Sequence, residues 1–470
     1  MTSASRSTGL ALVISVLSLL RIDAQNAGAP GISGPWEGAI QVAAGTLQIR
    51  VVFMEARGEL RAAIDIPQQG AAGLPLAAVT HTASNVHFEL PTPAARAVFD
   101  GRIAGNTING TFAQGQASGT FQLTRIAPAG TAPKAPYIEQ EVAITNGPIR
   151  LTGTLTIPSG AGPFPFVVMI TGSGPQNRDE EIFGFKIFQV LADRLTRNGV
   201  AVYRYDDRGV GGSTGTIANA TTSDFAADAL AVLTALKGRP EIDASRMGVL
   251  GHSEGATAAA IAASRSSDVS FVILMAPPGL RGEDLLRQQA IDGARGFGAD
   301  DPTVARIAAA HREVTTLIVK KVPAEELAPA VKNLIRAQYD SMPPAQQQAL
   351  GDREGFAEKT YAPALTQLQS PWMRSMIEFD HAAPLRGVTC PVLVLFGRLD
   401  MQVPPAQNEP PVRAALARNN AATIAVLDSA NHLFQSARTG QPTEYPTLEK
   451  AFVPGFLEQI SAWVARITKR

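Results

Sequence analysis

Gly251-His252-Ser253-Glu254-Gly255 is the stretch on which the reading of this chain turns. Before it, Met247-Gly248-Val249-Leu250 is a short apolar run that reads as a buried strand; after it, residues 256–263 are nearly all small helix formers. Strand, sharp turn with a central serine, then helix is the setting required of a G-x-S-x-G nucleophile elbow. A serine at the tip of so tight a turn carries strained backbone angles, and both flanking positions must be small to clear the neighbouring strand and helix. The hydroxyl then stands free, with the first N–H groups of the helix close to where negative charge develops. With 42 glycines in the chain, two of them in a five-residue pattern arise by chance often. The strand–turn–helix setting therefore carries the argument, not the pattern alone.

The segments around the elbow alternate. Residues 141–145 and 149–157 read as two antiparallel strands leading into strand 164–170, helix 182–197, strand 200–205, helix 223–236, the elbow, and strand 271–275. Such alternation predicts a mostly parallel sheet with helices on both faces, here over residues 140–280. Over 281–386 it stops, and helix formers dominate (283–289, 302–311, 324–340, 344–350). An insertion after the sixth strand should lie over the C-terminal strand edges, where sites occur in open α/β sheets, and the expectation is a cap governing access. The sheet resumes over 387–470, with strands at 392–396 and 423–427 and a closing helix at 457–467.

The N-terminal part has a different character. Residues 33–125 consist of short, partly alternating segments with Gly-containing turns, including 85–90, 97–103, 107–112 and 119–124, and predict an all-β barrel or sandwich. No catalytic cluster is legible there. A packing or substrate-shaping role is expected, with carbohydrate or lipid binding as the alternative. Residues 126–139 begin with the Ala/Pro-rich run IAPAGTAPKAP and read as a linker. At the start, Arg6 precedes an apolar run over 10–20, and Ala24 and Ala27 follow, so 1–27 reads as a secretory signal peptide. The run is short for a membrane span, and no later segment reads as one. An exported, periplasmic or secreted bacterial protein is expected.

Composition excludes more than it assigns. Forty-one basic and 41 acidic residues cancel without long runs of either sign, which gives no support for a nucleic-acid partner. The single cysteine, Cys390, cannot form an internal disulfide and reads as a buried structural thiol. Six scattered histidines form no metal-ligand cluster, so neither metal nor cofactor is implied. The oligomeric state is not legible.

A serine nucleophile needs a base, an acid that orients the base, and oxyanion donors. In this architecture the order along the chain should be Ser, acid, His. Asp400 follows strand 392–396, and His432 follows the last strand, so both fall past C-terminal strand ends like Ser253. Asp380 and Asp428 compete with Asp400, but the first precedes the strand and the second lies only four residues before His432.

Together with Gly172-Ser173-Gly174-Pro175-Gln176-Asn177-Arg178-Asp179, Tyr205-Asp206-Asp207-Arg208-Gly209-Val210-Gly211 and Asn431-His432, these motifs resemble the α/β-hydrolase superfamily. Within it the chain looks like the branch of serine-aminopeptidase-like hydrolases and EstD-type carboxylesterases, over roughly residues 140–467. The resemblance implies an α/β-hydrolase fold with a helical cap insertion, preceded by the all-β (barrel- or sandwich-like) domain. It further implies Ser253 as nucleophile, His432 as base and then acid, and Asp400 as its orienter. The backbone N–H of Glu254 would be one oxyanion donor, and Ser173 or Gly174 the other. Gly172, Arg178, Asp179 and His252 would border the site. His252 reads as structural, and His381 either lines the cap junction or lies on the surface. Arg178, Asp179 and Glu180 either pair to hold a loop or are solvated. Asp206, Arg208 and the following glycines are expected to fix a loop, not to cradle a nucleotide. The expected reaction is hydrolysis of a small-molecule ester through an acyl-enzyme. The alternatives are a peptidase or amidase with the same triad, and a non-catalytic binding or scaffold protein.

Overall fold

The computed structural model describes residues 32–42, 45–56, 59–66, 71–91, 96–115, 117–125 and 135–469. The expected signal peptide at 1–27 and most of the linker, residues 126–134, lie outside these. The chain divides into two compact units, the second beginning at Pro136.

The first unit is one antiparallel sheet of nine strands: β1 (Gly34–Val42), β2 (Gly45–Ala56), β3 (Glu59–Ile66), β4 (Ala71–Pro75), β5 (Ala77–His81), β6 (Asn85–Leu90), β7 (Ala97–Ala104), β8 (Thr107–Gln114) and β9 (Ala117–Arg125). Its order is β4-β3-β2-β1-β9-β8-β7-β6-β5. The two edge strands, β4 and β5, are separated in sequence by Leu76 alone, whose N–H bonds back to Ala62 O at 2.9 Å. A sheet whose edges are consecutive in the chain must curl round on itself, which decides for a barrel over a sandwich. Its interior holds Trp36, Phe53, Phe88, Phe99 and Phe121, with Phe88 and Phe99 stacked at 4.7 Å. Strands β4 and β5 were not legible in the sequence.

The second unit is built on an eight-stranded sheet: β10 (Tyr137–Asn146), β11 (Ile149–Pro158), β12 (Phe164–Ile170), β15 (Ala201–Tyr205), β16 (Ile242–His252), β17 (Phe271–Met275), β18 (Val392–Gly397) and β19 (Ala422–Leu427). The remaining pair, β13 (Glu181–Ile182) and β14 (Phe185–Lys186), makes a separate hairpin. The sheet order is β10-β11-β15-β12-β16-β17-β18-β19, antiparallel from β10 to β15 and parallel from there on. Strands β15 and β17 are buried at every residue, as a sheet covered on both faces requires. Helices α1 (Ile187–Arg197) and α11 (Phe456–Ile467) cover one face through Phe188, Leu191, Leu195, Ile460 and Trp463. Helices α2 (Thr222–Leu236) and α3 (Glu254–Arg265) cover the other. The run of small residues in α3 lets that helix lie close on the sheet: Ala256, Ala258, Ala259, Ala260 and Ala262 are all buried.

Between β17 and β18 stand six helices: α4 (Gly282–Gly296), α5 (Asp301–Val319), α6 (Ala324–Asp340), α7 (Pro344–Leu350), α8 (Arg353–Leu368) and α9 (Pro371–Glu378). Asp300, Asp352 and Ser370 cap α5, α8 and α9 through their side-chain oxygens. The two ends of this insertion are zipped together, with a bridge between Arg281 and Asp380 and a bond of 2.9 Å from Gly282 N–H to Phe379 O.

Three expectations need correction. The helix expected at 182–197 starts at Ile187, because Phe183 and Gly184 take left-handed angles and turn the β13–β14 hairpin. The linker expected to run to 139 ends earlier, since Tyr137 already begins β10 and its hydroxyl donates to Asp193 at 2.9 Å. A helix α10 (Pro405–Ala415) was not expected.

Candidate active site

The parallel register brings five strand ends together at one edge of the sheet. Ile170 of β12 pairs with Gly251 of β16, His252 with Met275 of β17, and Gly397 of β18 with Leu427 of β19. Ser253, the 171–174 turn, Asp400 and His432 all leave the sheet at this edge.

Ser253 closes the elbow at φ 54° and ψ −119°, a conformation that a side chain adopts only when its surroundings enforce it. Its N–H is fixed to Met275 O at 2.8 Å. Both glycines of the motif are required sterically. A methyl on Gly251 would lie 2.0 Å from Gly255 O, and one on Gly255 would lie 2.2 Å from Ile170 O and 2.3 Å from Thr171 O. Glu254 is the first residue of α3, so its N–H is one of those the helix cannot satisfy internally.

Asp400 and His432 are brought together. His432 Nδ1 and Asp400 Oδ2 are 2.7 Å apart, and both residues are buried. The other carboxylate oxygen of Asp400 accepts the N–H groups of Gln402 and Val403, each at 2.8 Å, so the acid is held rigidly. The His432 loop is pinned by buried Asn431, whose Oδ1 accepts from the N–H groups of Leu433 and Gln435 at 2.9 Å. The competing acids are elsewhere: exposed Asp428 pairs with Arg398 at 2.6 Å, and Asp380 lies 3.6 Å from Arg386.

The 171–174 turn, where oxyanion donors are expected, abuts the elbow. A methyl on Gly172 would come within 3.4 Å of Ser253 Cβ. The Gly172 N–H donates to Glu180 Oε1 at 2.7 Å, which commits it and leaves Ser173 and Gly174 as the turn's available donors. Asp207 braces the turn from below, accepting from Thr171 Oγ1 at 2.6 Å and from Gln176 N–H at 2.8 Å. Burial pushes its carboxyl well above the ordinary range, against the pull of these donors.

His252 is buried, with Nδ1 2.8 Å from Glu180 Oε1 and Nε2 3.0 Å from His432 O. Arg178 and Asp179 sit in ion-pair networks rather than against Ser253, Asp400 or His432. Arg178 donates to Asp206 (2.7 Å) and Thr154 (2.9 Å), and Asp179 pairs with buried Arg204. Arg208 holds Asp228 at 2.7 Å. His381 is buried, not on the surface, with Nδ1 3.0 Å from Thr257 Oγ1 of α3.

The Glu254 carboxylate points away from bulk water and is 2% exposed. It accepts from Thr222 Oγ1 at 2.7 Å and from Trp372 Nε1 at 3.1 and 3.2 Å, with the Ser173 hydroxyl as a further hydrogen-bond partner. Burial raises its pKa while these donors lower it, and burial prevails. Trp372 belongs to α9, so the helical insertion touches the elbow residue directly. Sequence reading offered Glu180 as a loop-holding ion without its partners, Gly172 and His252, and missed Trp372 altogether. Their partners are far away in the chain, and no local pattern marks them. Among the described residues, no group of three or more His, Cys, Asp or Glu is placed to hold a metal ion.

The strained serine elbow at the end of a parallel strand, with an acid–histidine pair just past the ends of β18 and β19 in the same sheet, defines an α/β hydrolase. The family described as serine aminopeptidase, S33, matches residues 185–435, which include the elbow, Asp400 and His432. Esterase EstD of Thermotoga maritima is 30% identical over 331 residues, which are 70% of this chain and 68% of that protein. The chain belongs to this S33 family of hydrolases. Similar solved structures include an esterase of Pyrococcus furiosus (16% identity, 71% of this chain and 92% of that one, TM-score 0.43). Another is the α/β hydrolase GrgF from a Penicillium species (18%, 70% and 98%, TM-score 0.44).

Proposed function

We propose that this chain is a serine carboxylesterase acting on small to medium carboxylic esters. The observation that carries the reading is the buried 2.7 Å contact between Asp400 and His432 beside the strained Ser253 elbow. Asp400 holds the His432 proton on Nδ1, which leaves Nε2 free to take the Ser253 proton as Oγ attacks the ester carbonyl. The carbonyl π electrons move to oxygen, and the oxyanion is met by the N–H of Glu254 and by those of Ser173 and Gly174. The C–O bond to the alcohol breaks as His432 returns the proton to it. Water, deprotonated by the same histidine, then attacks the acyl-enzyme, and the acid leaves as Ser253 regains its proton. The ester assignment draws on the relative named an esterase. Amide cleavage is the second reading, favoured by the aminopeptidase description of the matched family.

The test is turnover of p-nitrophenyl esters from acetyl to dodecanoyl, beside an aminoacyl anilide, by wild type and Ser253→Ala. Ester hydrolysis lost by several orders of magnitude in the variant is the expected result. Anilide turnover above ester turnover would establish the second reading, and full activity of the variant would overturn both. We also propose that residues 1–27 direct export; recovery of the tagged full chain from the cytoplasmic fraction, uncleaved, would refute this.

A further inference from the structure

Glu180 and His252 stand behind the site, not in it, and both are closed to solvent, at 0% and 2% exposure. Glu180 Oε1 accepts the Gly172 N–H at 2.7 Å and meets His252 Nδ1 at 2.8 Å, while His252 Nε2 faces His432 O at 3.0 Å. A carbonyl oxygen only accepts, so Nε2 carries a hydrogen; Nδ1, facing a carboxylate, carries the other. Burial works against a charged ring here, yet the attraction of Glu180 and the bonds to Glu180 and His432 O raise the His252 pKa overall, with Asp400 adding to it. The His432 ring lies 4.8 Å from that of His252 between centroids, and the Phe434 ring 6.4 Å away. Glu180 is also costly to keep: its backbone is left-handed at φ 45°, and its buried Oε2 has no hydrogen-bond partner among the described residues.

We propose that Glu180 and His252 form a positioning pair that fixes the oxyanion turn and the His432 loop relative to each other through one buried ion pair. The inference rests on the reading of Ser253, His432 and Asp400 as the reacting groups. One carboxylate oxygen sets the Gly172 N–H, and with it the course of Ser173 and Gly174. The same oxygen holds His252, which holds the His432 backbone. The turn and the base therefore keep their separation across Ser253 as the oxyanion forms, and because the pair carries no net charge it does not compete with Asp400 for the His432 proton. Neither residue touches substrate, so the effect belongs in the chemical step and not in binding.

Glu180→Gln tests this with little change of shape. An amide oxygen placed on Gly172 N–H and His252 Nδ1 demands an imidazolium without its counter-ion. An amide nitrogen placed toward a neutral His252 turns a donor at Gly172 N–H. Either orientation disrupts a tie. The expected outcome is a kcat lower by about tenfold to a hundredfold with KM within about threefold, and a matching slowing of Ser253 labelling by a fluorophosphonate. His252→Gln should give the same split, and the double variant should be no worse than the poorer single one. A wild-type kcat and labelling rate in folded Glu180→Gln, or a loss confined to KM, would overturn the proposal. So would failure of both single variants to fold, since the pair would then serve the fold alone. Ser253→Ala run in parallel separates the two levels: if it retains activity, the assignment of the nucleophile has failed, whatever the pair does.

Discussion

Trp372→Phe offers a direct measurement of how firmly the helical insertion is bound to the elbow. The substitution keeps an aromatic ring on α9 and removes one donor, the indole N–H shared by both oxygens of the Glu254 carboxylate at 3.1 and 3.2 Å. Glu254 keeps Thr222 Oγ1 and the Ser173 hydroxyl, so the carboxylate loses a partner without being abandoned. A hydrogen bond to a charged group that cannot be re-solvated contributes about 1.5–3 kcal/mol, and part of this is recovered if water enters the space left by the indole. A loss of roughly 1–2 kcal/mol in urea denaturation is therefore expected. The direct check is a double-mutant cycle with Glu254→Leu, which removes both acceptor oxygens. An interaction energy of about 1 kcal/mol or more identifies the bond as the source of the loss. Coupling below about 0.3–0.5 kcal/mol would refute the reasoning, because the loss would then come from ring packing alone.

Other outcomes follow from the same geometry. Gly255→Ala should abolish turnover and destabilise the fold, by about 1–3 kcal/mol or more, because the new methyl would press on Ile170 O and Thr171 O; a calorimetric scan and an ester assay check both. His381 is held at a pKa of about 4 by burial, against an ordinary value of 6.5. The unfolded chain binds its proton first, so stability is intact above pH 6.5 and is lost as pH falls toward 4. At about 1.4 kcal/mol per pH unit the gap amounts to roughly 3 kcal/mol, and His381→Leu should flatten the acid limb of stability against pH. Burial pushes the Cys390 thiol up to about 11, so the folded protein at pH 8 should react with a maleimide far more slowly than after denaturation.

What was legible in the sequence is what local chemistry determines. The elbow was readable because only glycine fits at 251 and 255, and a serine between them has one common use. Buried parallel strands such as β17 and β18 announce themselves as unbroken apolar runs, and the alternation with helices fixes their direction. The helix α10 was hidden because Pro410 and Pro411 read as helix breakers. It forms because its contacts outweigh the missing donors: Val412 is buried against the sheet, and Asn408 accepts the Gly279 N–H at 2.9 Å while donating to Pro404 O at 3.0 Å. The hairpin at 181–186 replaced part of an expected helix for the opposite reason. Apolar periodicity there is helical, but the left-handed angles at Glu180, Phe183 and Gly184 belong to a turn whose stabilising partners lie in other segments.

The same division separates the parts of the site. Each of the proposed reacting groups follows a strand end, and the level register of parallel strands would deliver Ser253, Asp400 and His432 to one edge whatever occupied the loops between. Strand ends alone, however, do not hold loops to the tolerance that oxyanion donors need, a fraction of an ångström. Buried acids that each accept hydrogen bonds from two or more groups at once hold the loops more closely. Asp400 takes two N–H groups of its own loop, Asp207 fixes Thr171 and Gln176, and Glu180 fixes Gly172 and His252. An acid in such a place is costly to bury and gains nothing from solvent; its contribution is the geometry it enforces. Exchanging any of these carboxylates for its amide should therefore reduce turnover more than it reduces stability. The amide keeps the volume and one acceptor oxygen but loses the negative charge and, at Asp400 and Asp207, the ability to accept through both oxygens.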